Sequence, residues 1–208
     1  MKLYYAVGAC SLSPHIALME AGIDASLVKV DTKTHKLADG TDFYAINPKG
    51  YVPVLELDNG ERLTEGPAIV QYIADRNPAS GLAPAAGTMD RYRLQEWLNF
   101  ISTELHKQFG PLFAQTTPAE YKDALKEKIG KRFDWLAREL GGRDYVMGKQ
   151  FTVADGYLFT ILTWTDRVGL ALARWPALAD YRARVAARPK VRDAMIAEGS
   201  LKESAATV

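Results

Sequence analysis

Along the first part of the chain, short apolar runs alternate with turn residues; beyond residue 90, long apolar stripes recur at helical spacing. Residues 2–5 form an aromatic and aliphatic run that Gly8 ends, which reads as a strand. Ser11 is placed to cap a helix running to about Ala21, with Pro14 in its first turn and Gly22 at its end. Residues 26–30 alternate weakly and read as a second strand, and residues 41–46 as a short irregular helix before Asn47-Pro48. Residues 52–57, then Asp58-Asn59-Gly60, then 61–63 predict a hairpin, because Asn-Gly supplies the positive backbone angles of a tight turn. Glu65-Gly66-Pro67 opens a helix with Ile69, Val70 and Ile73 on one face. The order is βαβαββα, with room for antiparallel pairing at the hairpin and a right-handed crossover at the first helix.

Residues 77–87 carry two prolines and two glycines among small residues and read as a linker. After it, Leu94, Leu98, Ile101 and Leu105 form one stripe. Tyr121, Leu125, Ile129, Phe133, Leu136 and Leu140 form another, ended by Gly141-Gly142. Thr152-Val153-Ala154-Asp155 has the form of a capping box, and Pro176 and Pro189 start two shorter helices. The expected organisation is an α/β domain over residues 1–80 followed by an all-helical domain, a helical bundle, over residues 87–203.

Composition narrows the function classes. A formal net charge of +1 over 208 residues creates no field that would gather nucleic acid or an anionic membrane, so neither is expected as a partner. There is no apolar run of about 18 residues to span a bilayer, and the N-terminus lacks the apolar region of a signal peptide. Cys10 is the single cysteine; a lone thiol with no disulfide partner fits a reducing compartment, and the cytoplasm is the expected location. Three scattered histidines and one cysteine show no metal-ligand spacing, so no metal is expected, and no Gly-rich phosphate loop is present.

Cys10 falls between the first strand and the first helix, where free N–H groups and the macrodipole favour a thiolate. With Ser13 it makes C-x-x-S, a one-thiol relative of the C-x-x-C redox arrangement; equally, a cysteine there can serve as a small buried hydrophobe. Glu65-Gly66-Pro67 at a helix start could receive a carboxylate on its N–H groups and an ammonium on Glu65, or be a plain cap. Asn99, Thr103 and His106 are spaced to share one helical face, with Lys107 beside them; that face either polarises a substrate or is merely solvated. His35, beside Lys36, lies in a basic loop that could meet an anionic ligand, while His15 reads as structural.

These residues resemble a known family. Met1-Lys2-Leu3-Tyr4-Tyr5, Cys10 followed by Pro14-His15, Asn47-Pro48-Lys49-Gly50-Tyr51-Val52-Pro53, Leu63-Thr64-Glu65-Gly66, and Trp97-Leu98-Asn99 with Thr103-Glu104-Leu105-His106-Lys107 are similar to the bacterial beta-class glutathione transferases. The Phe151-to-Asp155 segment resembles the capping box of the wider superfamily, and the resemblance runs from Met1 to about Lys202. It implies a thioredoxin-like first domain, a helical second domain, a homodimer, and glutathione as co-substrate. By resemblance, Cys10 meets the glutathione sulfur, and Val52, before a cis-proline, pairs its backbone with the tripeptide. Glu65 and Gly66 take the γ-glutamyl group. His35, Tyr51, Asn99, Thr103, Glu104, Leu105 and His106 complete the glutathione site. His106 joins Cys10 in catalysis, and Tyr5 and Lys107 face the second substrate. The sequence departs from its relatives in carrying Tyr51 where many have glutamine, His35 where some have lysine, and Gly66 where much of the superfamily has serine.

The implied activity is conjugation of the glutathione thiolate to small, mostly apolar electrophiles. Alternatives are Cys10-dependent disulfide exchange or reductive dehalogenation, and, outside enzymes, sequestration of apolar ligands.

Overall fold

The structure, a computed structural model, describes residues 1–202. Residue 203, the expected end of the helical domain, lies outside the described residues. Packing gathers the described residues into two compact units, one of Met1–Ser80 joined by residues 187–202, the other Gly81–Ala186. The last helix, which the sequence groups with the helical domain, therefore packs within the first unit.

In the first unit, β1 (Lys2–Tyr5), β2 (Ser26–Asp31), β3 (Lys36–Leu37), β4 (Val54–Glu56) and β5 (Arg62–Thr64) form one mixed sheet in the order β3-β2-β1-β4-β5. The parallel pairing of β1 with β2 follows from the crossover through α1 (Leu12–Ala21). β4 and β5 pair antiparallel, with Leu55 opposite Leu63, and Gly60 takes a φ of 84° in the connection. The turn residues act as predicted, but β4 is shorter than expected and β5 begins one residue later. β3 escaped the sequence reading because two residues carry no alternation. Strand side chains point alternately to the two faces. Tyr4, Val30, Phe43, Val52 and Val54 cluster on one face, while Leu3 and Leu55, fully buried, belong to the other. α2 (Gly66–Arg76) and α8 (Pro189–Ala197) both pack on α1.

One expected cap is used differently. Ser11 makes no capping bond to α1. Its hydroxyl instead accepts from the Ala6 N–H at 3.1 Å and donates to the Ala6 carbonyl at 3.2 Å. The tight strand-to-helix loop buries both of those backbone groups, and a buried backbone group must find a partner.

The second unit holds α3 (Met89–Phe100), a π-helical segment (Ile101–His106), α4 (Lys107–Phe113), α5 (Ala119–Glu139), α6 (Val153–Leu162) and α7 (Pro176–Ala186). Every residue of α6 is buried, as expected of a helix that is apolar all round and surrounded by others. It packs against α3, the π segment and α7. Both predicted stripes are core, save that Tyr121, in the first turn of α5, is exposed. The capping box forms at Thr152 and Asp155. Asp155 accepts from the Val146 N–H, the Thr152 N–H and hydroxyl, and the Tyr181 hydroxyl, at 2.7–2.9 Å. Burial still pushes its carboxyl up to about 6. Among the described residues, no helix is long and apolar enough to cross a membrane.

Candidate active site

The first unit brings its predicted residues to one region. The turn after β1 carries Cys10, half-buried, whose thiol donates to the Val52 carbonyl at 3.4 Å. Val52 is buried and precedes a cis peptide bond to Pro53. The loop before it is held by Asn47, whose side chain donates to the Tyr51 carbonyl at 2.7 Å and accepts from the Lys49 N–H at 3.2 Å. Further along, the His35 ring Nδ1 lies 2.8 Å from the Gly50 carbonyl, and the ring packs at a tilt of 35° against Tyr44 with centroids 4.7 Å apart.

Glu65 gathers the other end of this region. Its backbone sits at φ 69°, where a side chain other than glycine's is strained. Tyr51 donates to its carboxylate at 2.9 Å, and Lys49 forms an ion pair with it. The hydrogen bond to Glu65 holds the Lys49 ammonium above its usual range. Gly66 follows as the first residue of α2, and a Cβ built on it would meet no heavy atom within 4 Å. The helix start thus has open space beside an acidic side chain, a pairing suited to an α-amino acid head.

The loop bearing Cys10 is also tied from α8. Glu198, at the end of that helix, accepts from the Gly8 N–H, and its Oε1 lies 3.1 Å from Nδ1 of His15 on α1. His15 and Glu198 are both buried, and burial pushes the Glu198 carboxyl up. Tyr5, at the end of β1, is buried, and its phenol is pushed up by burial and by Glu198. His15 is structural, as expected.

The second unit does not present Asn99, Thr103 and His106 as one solvated face. Asn99, Thr103 and Lys107 are exposed, and the Thr103 hydroxyl bonds back to the Asn99 carbonyl at 3.1 Å. Glu104 pairs with Arg132 at 2.7 Å, and Leu105 is fully buried. His106 turns inward: its Nδ1 lies 2.6 Å from the Tyr157 hydroxyl and its ring meets the edge of Trp164 at 5.1 Å. The reason is the π segment. The Lys107 N–H reaches back to the Ser102 carbonyl, so the turn is wider than the α-helical spacing assumes, and residues after it rotate away.

Sequence reasoning missed Lys49, Tyr157, Trp164 and Glu198. Lys49 lay inside a motif already noted. Tyr157 left a trace as a polar tip within a nearly continuous apolar helix. Trp164 and Glu198 left none, since their partners are distant in sequence.

Residues 1–75 match the family model described as glutathione S-transferase, N-terminal domain, and residues 100–189 match the C-terminal domain of the same family. The chain is 47% identical to glutathione S-transferase GstA of Escherichia coli O157:H7, covering 96% of this chain and 99% of that one. The chain belongs to the glutathione S-transferase family. Its fold is that of a sphingomonad glutathione S-transferase solved with glutathione, at a TM-score of 0.93 and 52% identity over 97% of this chain and all (100%) of the other. A beta-class transferase of Sphingomonas chungbukensis matches at a TM-score of 0.94 and 46% identity, covering 97% and 100%. The expected mixed-sheet and helical architecture, the transferase class and the beta-class grouping all stand.

Proposed function

We propose that the protein conjugates the thiolate of glutathione to small, mostly apolar electrophiles. The observation that carries this reading is the arrangement on the first unit, where Cys10 abuts the Val52 carbonyl while Glu65 and Gly66 form an open helix start. An extended γ-glutamyl peptide suits such a strip: backbone pairing at Val52, its glutamyl carboxylate on the α2 N–H groups, its ammonium on Glu65. Lys49 already pairs with Glu65, so the ligand ammonium competes with it or shares the carboxylate with Tyr51. The resemblance assigns His35 to the glutathione site and Tyr5 and Lys107 to the second substrate. Family membership supports the assignment of Asn99, Thr103, Glu104, Leu105 and His106 to the glutathione site, a homodimeric state and a cytoplasmic location.

Chemically, the sulfur is to be held as a thiolate. Lowering a thiol pKa by about two units corresponds to about 2.7 kcal/mol of differential stabilisation, and hydrogen-bond donors and a helix terminus together supply that order of energy. The test is steady-state conjugation of glutathione to a chlorinated nitrobenzene by wild type, Cys10→Ala and Glu65→Gln. Glu65→Gln should raise the glutathione KM by about tenfold or more, the scale of losing one charged hydrogen bond. Retained turnover in Cys10→Ala makes the cysteine an accessory. Glutathione binding without any conjugation by wild type would overturn the reading and favour disulfide exchange at Cys10 or ligand sequestration.

A further inference from the structure

Resting on that reading, we propose that His35 receives the glycine carboxylate of glutathione only as its imidazolium, so that ligand binding draws a proton from solvent and weakens as pH rises through the histidine range.

The ring's hydrogen-bond partner fixes what its other nitrogen can do. Nδ1 lies 2.8 Å from the Gly50 carbonyl, and a carbonyl oxygen only accepts, so Nδ1 carries a hydrogen. A neutral imidazole has one N–H. With that group bonded to Gly50, Nε2 presents a lone pair, which repels a carboxylate. Nε2 becomes a donor only when a second proton arrives, and the bond it then makes to a carboxylate is charge-assisted. A lysine in this place would be charged throughout the same range and would need no proton.

The backbone holds the ring in this pose. His35 sits at φ 53°, and its carbonyl accepts from the N–H of the fully buried Phe43 at 2.8 Å. Asp31 pins the same turn, accepting from the Lys33 and Thr34 N–H groups at 2.8 and 3.2 Å. Gly50, at φ 72°, lies so close to Tyr44 that a Cβ there would collide with the ring that packs on His35.

The charges nearby leave a carboxylate to be supplied from outside. The turn itself carries Lys33, Lys36 and Asp31; the segment packed on it brings Asp42 and Tyr44, and the Gly50 loop brings Lys49. Asp31 and Asp42 accept from backbone N–H groups, and Lys49 pairs with Glu65. Among the described residues no carboxylate forms an ion pair with His35. Glutathione carries two carboxylates, and the start of α2 suits the glutamyl one. The other stands one residue beyond the cysteine that would pair with Val52. Gly50 is two residues from Val52, a span of about 7 Å at most, so a ring bonded to Gly50 is within reach of it.

The first test needs no ligand and no variant. Long-range proton–nitrogen correlations of His35 above about pH 8, where an imidazole is neutral, should show the Nδ1–H form; an Nε2–H form overturns the proposal. The second is calorimetry with S-methylglutathione, which has no thiol proton to lose, in buffers of different ionisation enthalpy. A carboxylate that favours the charged form of an ordinary imidazole about tenfold makes binding take up about half a proton at pH 7 and weaken about fivefold from pH 5.5 to 7.5. His35→Lys should abolish both effects, and so should amidating the ligand's glycine carboxylate with wild type unchanged. Binding to wild type without proton uptake, or uptake that survives His35→Lys or the amide, overturns the proposal and leaves the transferase reading standing. No binding by wild type at any pH overturns both.

Discussion

At the scale of single residues, two carboxylates show how surroundings set charge and how stability should follow pH. Glu56 accepts from Lys2, from Arg62 and from the Tyr4 hydroxyl at 2.9–3.2 Å, and the hydrogen bonds from Lys2 and Arg62 hold its carboxyl at about 2, below an ordinary 4.5. The stability it contributes is fully present above pH 4.5 and is lost as pH falls toward 2. Glu56→Gln should cost about 1–3 kcal/mol at neutral pH and flatten the decline of stability with acid, as read by urea unfolding across a pH series. Asp155 behaves oppositely. Its folded value of about 6 lies above the ordinary 3.8 because burial outweighs its four hydrogen bonds. Between those two values the folded state keeps a proton that the unfolded chain has lost, so this group's contribution falls as pH rises through the window. Asp155→Ala should still destabilise by about 2–4 kcal/mol, because it strands the buried Val146 and Thr152 N–H groups, and Asp155→Asn should remove that pH dependence.

At the scale of elements, caps fix where some helices begin, and one helix changes pitch partway along. α3 starts at Thr88, whose hydroxyl accepts from the Arg91 N–H at 3.3 Å. Thr88→Ala should cost about 1 kcal/mol, measurable as a lowered urea midpoint with unchanged slope. α3 passes without interruption into the π segment, where Leu105 stays buried but His106 swings toward α6. Apolar spacing reports which residues enter a core; it does not report a change from α to π pitch. The stripe through Leu94, Leu98, Ile101 and Leu105 was therefore legible, while the placing of His106 was not. The same limit applies to Ser11. A serine ahead of a helix matches the capping pattern, but the Ala6 N–H that claims its hydroxyl is brought to it only when the loop closes.

At the scale of the whole molecule, the chain returns to its first unit at the end. Arg188 forms a two-pronged ion pair with Glu20 of α1 at 2.7 and 2.8 Å, and Glu198 lies between His15 and the Gly8 N–H. α8 thus closes over α1 and braces the loop that carries Cys10. Arg188→Ala should lower stability by about 1–3 kcal/mol, since it leaves a mostly buried carboxylate without its charged donor. Ending the chain at residue 186 should strip α1 of this cover. The loss of a cooperative unfolding transition for the first unit, followed by hydrogen exchange, checks that expectation.

The sequence by itself determined the features carried by a few consecutive residues. These are the hairpin turn at Asn59-Gly60, the capping box at Thr152 and Asp155, the prolines that open α7 and α8, and the two apolar stripes. Such features depend on backbone angles and side-chain period, which act over one or two turns. Through its motifs the sequence also marked Cys10, Val52, Glu65 and His106 as candidates. Only the tertiary structure decided what those residues touch. Cys10 meets Val52 across 42 positions, His106 meets Tyr157 across 51, and His15 meets Glu198 across 183. No local pattern encodes such partners, because the contact exists only after sheet and helices have closed and buried polar groups have been forced to find one another.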